Sequence, residues 1–63
     1  MTAEEFKALR ERAGFTQQAM ADFLGVDIRT AQRYESTGAD AIKIKGPVLK
    51  LCEILKERTD RRR

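Results

Sequence analysis

Two stretches with helical spacing, QQAMADFL at residues 17–24 and IRTAQRYES at residues 28–36, are separated only by Gly25, Val26 and Asp27. This constrains the fold more than any other feature, because so short a link cannot return the second helix antiparallel to the first, and the two must meet at a steep angle. Thr16 precedes the first stretch and Asp27 the second, each where a side-chain oxygen can satisfy the free N–H groups of a helix start. Gly25 supplies the positive φ of a tight turn. Met20, Ala21, Phe23 and Leu24 place an apolar surface on the first stretch, and Ala31 and Tyr34, with Ile28 at the edge, do so on the second. The second helix therefore commits few side chains to a core. Arg29, Gln32 and Arg33 project the other way.

The flanking segments supply the rest of a small all-α domain. TAEE is a capping box in which Thr2 and Glu5 serve each other's backbone amides, and a helix over about 3–13 follows, with Phe6, Leu9 and Ala13 on a narrow apolar face. Gly14 can end it in the left-handed conformation, and Phe15 returns to the core. After Gly38 the segment ADAIKIKGP alternates apolar and basic residues at Ile42, Lys43, Ile44 and Lys45, as an extended connection does. Pro47 then sits at the first position of a helix over about 47–58, where its missing N–H costs least. Val48, Leu51, Cys52 and Leu55 keep helical spacing there, and Leu49 and Ile54 widen the apolar surface. The expectation is four helices, at about 3–13, 17–24, 28–36 and 47–58, in one domain spanning 1–58, followed by a basic mobile tail at 59–63. At 63 residues the core is small enough that a partner subunit would help it.

Composition narrows the function classes. The net charge is +3, with basic residues crowded into the final RTDRRR, which is compatible with a polyanionic partner. Cys52 is the only cysteine, so no intrachain disulfide can form and a reducing compartment fits best. On the apolar face of the last helix it reads as a small core hydrophobe. The opening MTAEEFKALRE has neither the basic start nor the apolar run of a secretion signal, and no window approaches the roughly 20 apolar residues that span a bilayer. Cytoplasmic, nucleoid-associated localisation is the expectation. With no His, no Cys/His cluster and no glycine-rich phosphate loop, neither an enzyme nor a metal or cofactor site is expected.

Within TQQAMADFLGVDIRTAQRYESTG the requirements of a helix-turn-helix occur together. Ala21 is small where the helices cross, Gly25 makes the turn, Val26 plugs it, and Ala31 and Tyr34 seat the second helix on the first. The chain resembles the lambda-type phage repressor and Cro family, shared by the xenobiotic-response-element regulators, over about residues 5–57. Thr16, Gln17, Ala21, Gly25, Tyr34 and Glu35 occupy the positions typical of that family. The resemblance implies a structural pair between Arg10 and Glu35, and it sets Thr16 and Gln17 against the DNA backbone, where a helix N-terminus attracts phosphate. Two departures stand out. Ala31 replaces a larger aliphatic residue, and the sequence stops before the fifth helix of many relatives, so their dimer contact is not carried over.

In this docking geometry the second helix of the motif enters the major groove. Arg29 and Arg33 can each read guanine O6 and N7, Gln32 can read adenine N6 and N7, and Ile28 can meet a thymine methyl. Gln18, Lys43 and Lys45 are candidate phosphate contacts, and Arg61, Arg62 and Arg63 can add salt-sensitive attraction. Without the surrounding motif the same polar residues would be only a solvated helix face.

The expected function is sequence-specific binding of double-stranded DNA by a transcriptional regulator, of the phage or prophage Cro-like repressor type, as a homodimer on a palindromic operator. Leu49, Ile54 or Ile44 are the candidate dimer contacts. The competing expectations are an antitoxin or accessory repressor that also binds a protein, and an interaction module that has lost DNA binding.

Overall fold

The computed structural model describes residues 1–61. Among them are four helices and no strand: α1 Ala3–Arg12, α2 Gln17–Leu24, α3 Ile28–Tyr34 and α4 Gly46–Arg61. The architecture is all-α, as the spacing predicts. At α1 the Thr2 amide donates to Glu5 Oε1 at 2.8 Å and the Glu5 amide to Thr2 Oγ1 at 3.1 Å, a complete capping box. Thr16 Oγ1 accepts from the Ala19 amide at 3.0 Å to start α2. Asp27 Oδ1 accepts from the Thr30 amide at 3.1 Å to start α3.

The first two helices stop by the same device. The Phe15 amide donates to the Arg10 carbonyl and the Gly14 amide to the Glu11 carbonyl, while Val26 donates to Ala21 and Gly25 to Asp22. Each is a paired Schellman closure hinged on a left-handed residue, with φ +77° at Gly14 and +74° at Gly25. The residue after each hinge, Phe15 or Val26, is thereby turned back to pack on the core.

Phe6, Leu9, Met20, Leu24, Tyr34, Ile44, Cys52 and Leu55 form one buried cluster. Helices α2 and α3 pack on each other and α1 packs on α4. Ala21 and Ala31 have no exposed surface, and their small side chains let the α2 and α3 backbones approach closely. Ala31, the departure from the usual larger aliphatic, is fully used as core. Phe6 of α1 meets the Tyr34 ring of α3 at 5.5 Å between centroids, and Phe15 meets Phe23 at 5.8 Å. Both lie within the range where tilted aromatic pairs attract.

Four sequence expectations are corrected. Helix α3 stops at Tyr34 rather than 36, because Glu35 serves as its C-cap and the Glu35 and Ser36 amides turn to the carbonyls three residues back. Helix α1 stops one residue short of 13, with Ala13 as its C-cap. Helix α4 starts at Gly46 and runs through Arg61 rather than ending at 58, so residues 59–61 are helical and not a tail. Three contacts hold that last turn: the Thr59 hydroxyl donates to the Leu55 carbonyl at 2.8 Å, Arg61 meets Glu57 at 2.8 Å, and Arg12 of α1 meets Asp60 at 2.7 Å. The expected tail residues Arg62 and Arg63 lie outside the described residues. Finally, Ile44 is buried in the core and so is removed from the candidate dimer contacts, leaving Leu49, half-buried, and Ile54, 40% exposed.

Candidate nucleic-acid interface

Helix α3 has two contrasting sides. Ala31 and Tyr34 face the core, whereas Ile28, Arg29, Gln32 and Arg33 are exposed. Arg29, Gln32 and Arg33 border an open concavity of about 410 Å³, completed by Ser36 and Asp40 from the segment after the helix. Sequence reasoning missed the last two. Helical periodicity ends at Tyr34, and only the turns around Gly38 return Asp40 to this surface. Ser36 and Gly38, two residue types that favour turns, were the available signal for such a turn.

Gln32 does not stand alone. Its Nε2 donates to Oε1 of Gln17 at 3.3 Å, a bond between the recognition-side helix and the first turn of α2. The Gln32 carboxamide keeps its own oxygen and a second N–H available, the donor and acceptor combination that adenine presents in complement. Two sequence-separated candidates thus share one surface. Thr16 is adjacent to Gln17, but its hydroxyl oxygen already caps α2. Gln18 lies one residue further round and donates to Asp22 Oδ1 at 3.0 Å.

Lys43 and Lys45 are exposed on either side of buried Ile44. Alternation in the extended connection sends Ile44 inward and both lysines outward. Neither lines the concavity. Ile28 is 39% exposed at the leading edge of α3, and a large apolar group there costs solvation unless something covers it.

What holds this surface in place is the Arg10 guanidinium. Nε donates to Glu35 Oε2 at 2.7 Å, Nη2 to Glu35 Oε1 at 3.3 Å, and Nη1 to the Phe15 carbonyl at 2.9 Å. One side chain of α1 therefore secures both the C-cap of α3 and the approach to α2. Its exposure is 13% and that of Glu35 is 7%, so the pair is largely removed from water. Charges so placed persist when each satisfies the other.

The titrating groups with perturbed protonation belong to the scaffold. Hydrogen bonds from Thr2, amide first, lower the Glu5 carboxyl below its ordinary 4.5. Hydrogen bonds from Thr30, side chain first and then amide, lower Asp27 below 3.8. Burial pushes the Cys52 thiol up to about 11, which leaves it a neutral packing group at neutral pH. No cluster of metal-ligating side chains occurs among the described residues, and no described helix is long and apolar enough to cross a membrane.

Comparison with curated proteins and with solved structures found no match for the chain. Comparison with protein families did: residues 3–63 match the family described as helix-turn-helix domain. That match takes in all four helices, from Ala3 at the start of α1 to the last turn of α4, and includes the capped and glycine-hinged α2–α3 unit. On this evidence the chain belongs to the helix-turn-helix domain family, a family of DNA-binding regulators.

Proposed function

We propose that this protein is a sequence-specific transcriptional repressor of the lambda Cro-like type, from a phage or prophage, which binds a palindromic operator as a homodimer in the cytoplasm. The observation that carries the reading is the exposed cluster of Arg29, Gln32 and Arg33 around one concavity on α3, with Gln32 tied to Gln17. These side chains combine guanine-reading and adenine-reading chemistry on a helix whose opposite side is locked into the core. Ile28 adds an apolar contact for a thymine methyl. Thr16, Gln17, Gln18, Lys43 and Lys45 supply backbone contacts, which fix register without reading sequence.

The dimer follows from information content. One seven-residue helix reads only a few base pairs, and two copies on half-sites roughly 34 Å apart give usable specificity. Ile54, exposed on α4, is the contact assigned to the second copy.

The test is selection of duplexes from a random pool, followed by titration of the selected site with Arg29→Ala and Arg33→Ala. The expected result is a two-fold symmetric site, bound about 1–3 kcal/mol more weakly by each variant, with relaxed preference at one symmetric pair of positions. An unselective wild-type protein, or variants that bind the chosen site as tightly as wild type, would overturn the proposal.

A further inference from the structure

Of the five residues bordering the α3 concavity, four offer hydrogen-bond donors, and Asp40 alone is an acceptor-only anion. Its position is built by two successive turns. Ser36 Oγ accepts from the Gly38 amide at 3.2 Å, and the Ala41 amide donates to the Gly38 carbonyl at 3.0 Å. These bonds fold the chain back after α3 and set Asp40 beside a helix that it follows by six residues. Among the described residues Asp40 is exposed and makes neither a hydrogen bond nor an ion pair, although Arg29 and Arg33 border the same concavity.

A carboxylate here is costly for a surface that only grips phosphates, since it subtracts from the attraction supplied by the two arginines. It is useful for reading bases. Arginine has no acceptor and so recognises guanine but not the exocyclic amine of cytosine, which in the major groove is met by a carboxylate. We infer that Asp40 is a specificity-determining residue that accepts a hydrogen bond from cytosine N4 in the operator, beside the guanines read by Arg29 or Arg33. The inference rests on the reading above that α3 enters the major groove. It deepens that reading by assigning one anionic contact to the loop after the helix and by requiring a C at a defined position of each half-site.

The experiment is duplex selection from a random pool with wild type, Asp40→Ala and Asp40→Asn, followed by titration of each protein against the wild-type site and its single-base variants. Circular dichroism confirms that the variants keep their helix content, which is expected because Asp40 supports no other described group. Wild type should select C at one symmetric pair of positions. Asp40→Ala should lose about 5- to 150-fold discrimination there and nowhere else. Asp40→Asn, carrying both donor and acceptor, should shift the preference at that pair toward A. A variant that selects the same site, with affinity unchanged or raised equally for every duplex, would show that Asp40 only repels phosphate and would overturn the inference while leaving the function intact. Lost preference at an adenine instead of a cytosine would overturn it as well. If wild-type protein selects no site, the proposed function fails and this assignment fails with it.

Discussion

Removing either partner of the Arg10–Glu35 pair should nearly unfold the domain, whereas removing both together should cost far less than the sum. Breaking a buried ion pair by deleting one member costs about 3–5 kcal/mol, because the other charge is stranded. Here Arg10 is 13% and Glu35 7% exposed, so some water reaches the site and the cost falls to the lower limit of that range or just below it, about 2–3 kcal/mol. Arg10→Met also deprives the Phe15 carbonyl of its 2.9 Å donor and should be the worse of the two. A chain of this size holds only about 3–5 kcal/mol in total. Glu35→Leu alone should therefore lower the midpoint of thermal unfolding, followed by circular dichroism at 222 nm, by roughly 8–24 °C. In Arg10→Met/Glu35→Leu no charge is left stranded, and the double-mutant cycle should return a coupling of about 1–3 kcal/mol. Single substitutions that cost under about 0.5 kcal/mol, the range of exposed surface pairs, or strictly additive effects, would refute the view that this pair locks α1 to α3.

Gly25→Ala should cost about 1–2 kcal/mol by denaturant melts, and Gly25→Asn less, because φ is +74° and the added Cβ meets nothing within 4 Å. The penalty is then conformational rather than steric, and equal stability of the Ala and Gly proteins would contradict it. Lys43→Ala and Lys45→Ala should each weaken binding to specific and random duplexes alike, and each should reduce the slope of log K against log salt by about 1 per subunit. In acid the caps should fail. Glu5 and Asp27 have folded pKa values below their ordinary 4.5 and 3.8, so their stabilisation is complete above those values and is lost as pH falls through the folded ones. Glu5→Gln/Asp27→Asn should accordingly flatten the fall in melting temperature between about pH 5 and 2, and an unchanged acid limb would count against it. Ile54→Glu should shift the sedimenting species toward monomer and weaken operator binding without altering helix content, since the side chain is 40% exposed.

The parts of the fold that were legible in the sequence are those decided within a few residues. Thr2 with Glu5, Thr16 and Asp27 are caps because a side-chain oxygen sits three residues from an amide that has no helical partner. Gly14 and Gly25 end helices because a left-handed residue closes the carbonyls before it. Other outcomes needed the tertiary structure. Ile42 and Ile44 have the same local pattern, yet one is 37% exposed and the other 5%, a difference set by where the connection crosses the core. Residues 59–61 carry no apolar signal, and their helix is held partly by Asp60 reaching Arg12, 48 positions away. At the site, Arg29, Gln32 and Arg33 could be grouped by helical spacing, but Asp40 joins them only through turns whose geometry the pattern does not encode.

The residues that join α1 to α3, Arg10 with Glu35 and Phe6 with Tyr34, and those on the exposed side of α3 are two kinds of residue that a binding assay alone would confuse. Helix α3 has only seven residues, and a helix so short has no stability of its own in water. Its exposed face is therefore present only in the folded molecule, and apparent affinity is the intrinsic affinity scaled by the folded fraction. A substitution at Arg10, Phe6 or Tyr34 loosens the lock between α1 and α3 and should weaken every duplex by the same factor. That loss should shrink on moving from near the midpoint of unfolding to well below it, and saturating operator should restore folding by mass action. A substitution at Arg29 or Arg33 leaves the folded fraction unchanged and alters the ranking of duplexes at every temperature. Measuring both affinity and ranking at two temperatures thus assigns each residue to the support or to the reading surface. An Arg10 variant that changed base preference at constant folded fraction would mean that the support and the reading surface are not separable in this fold.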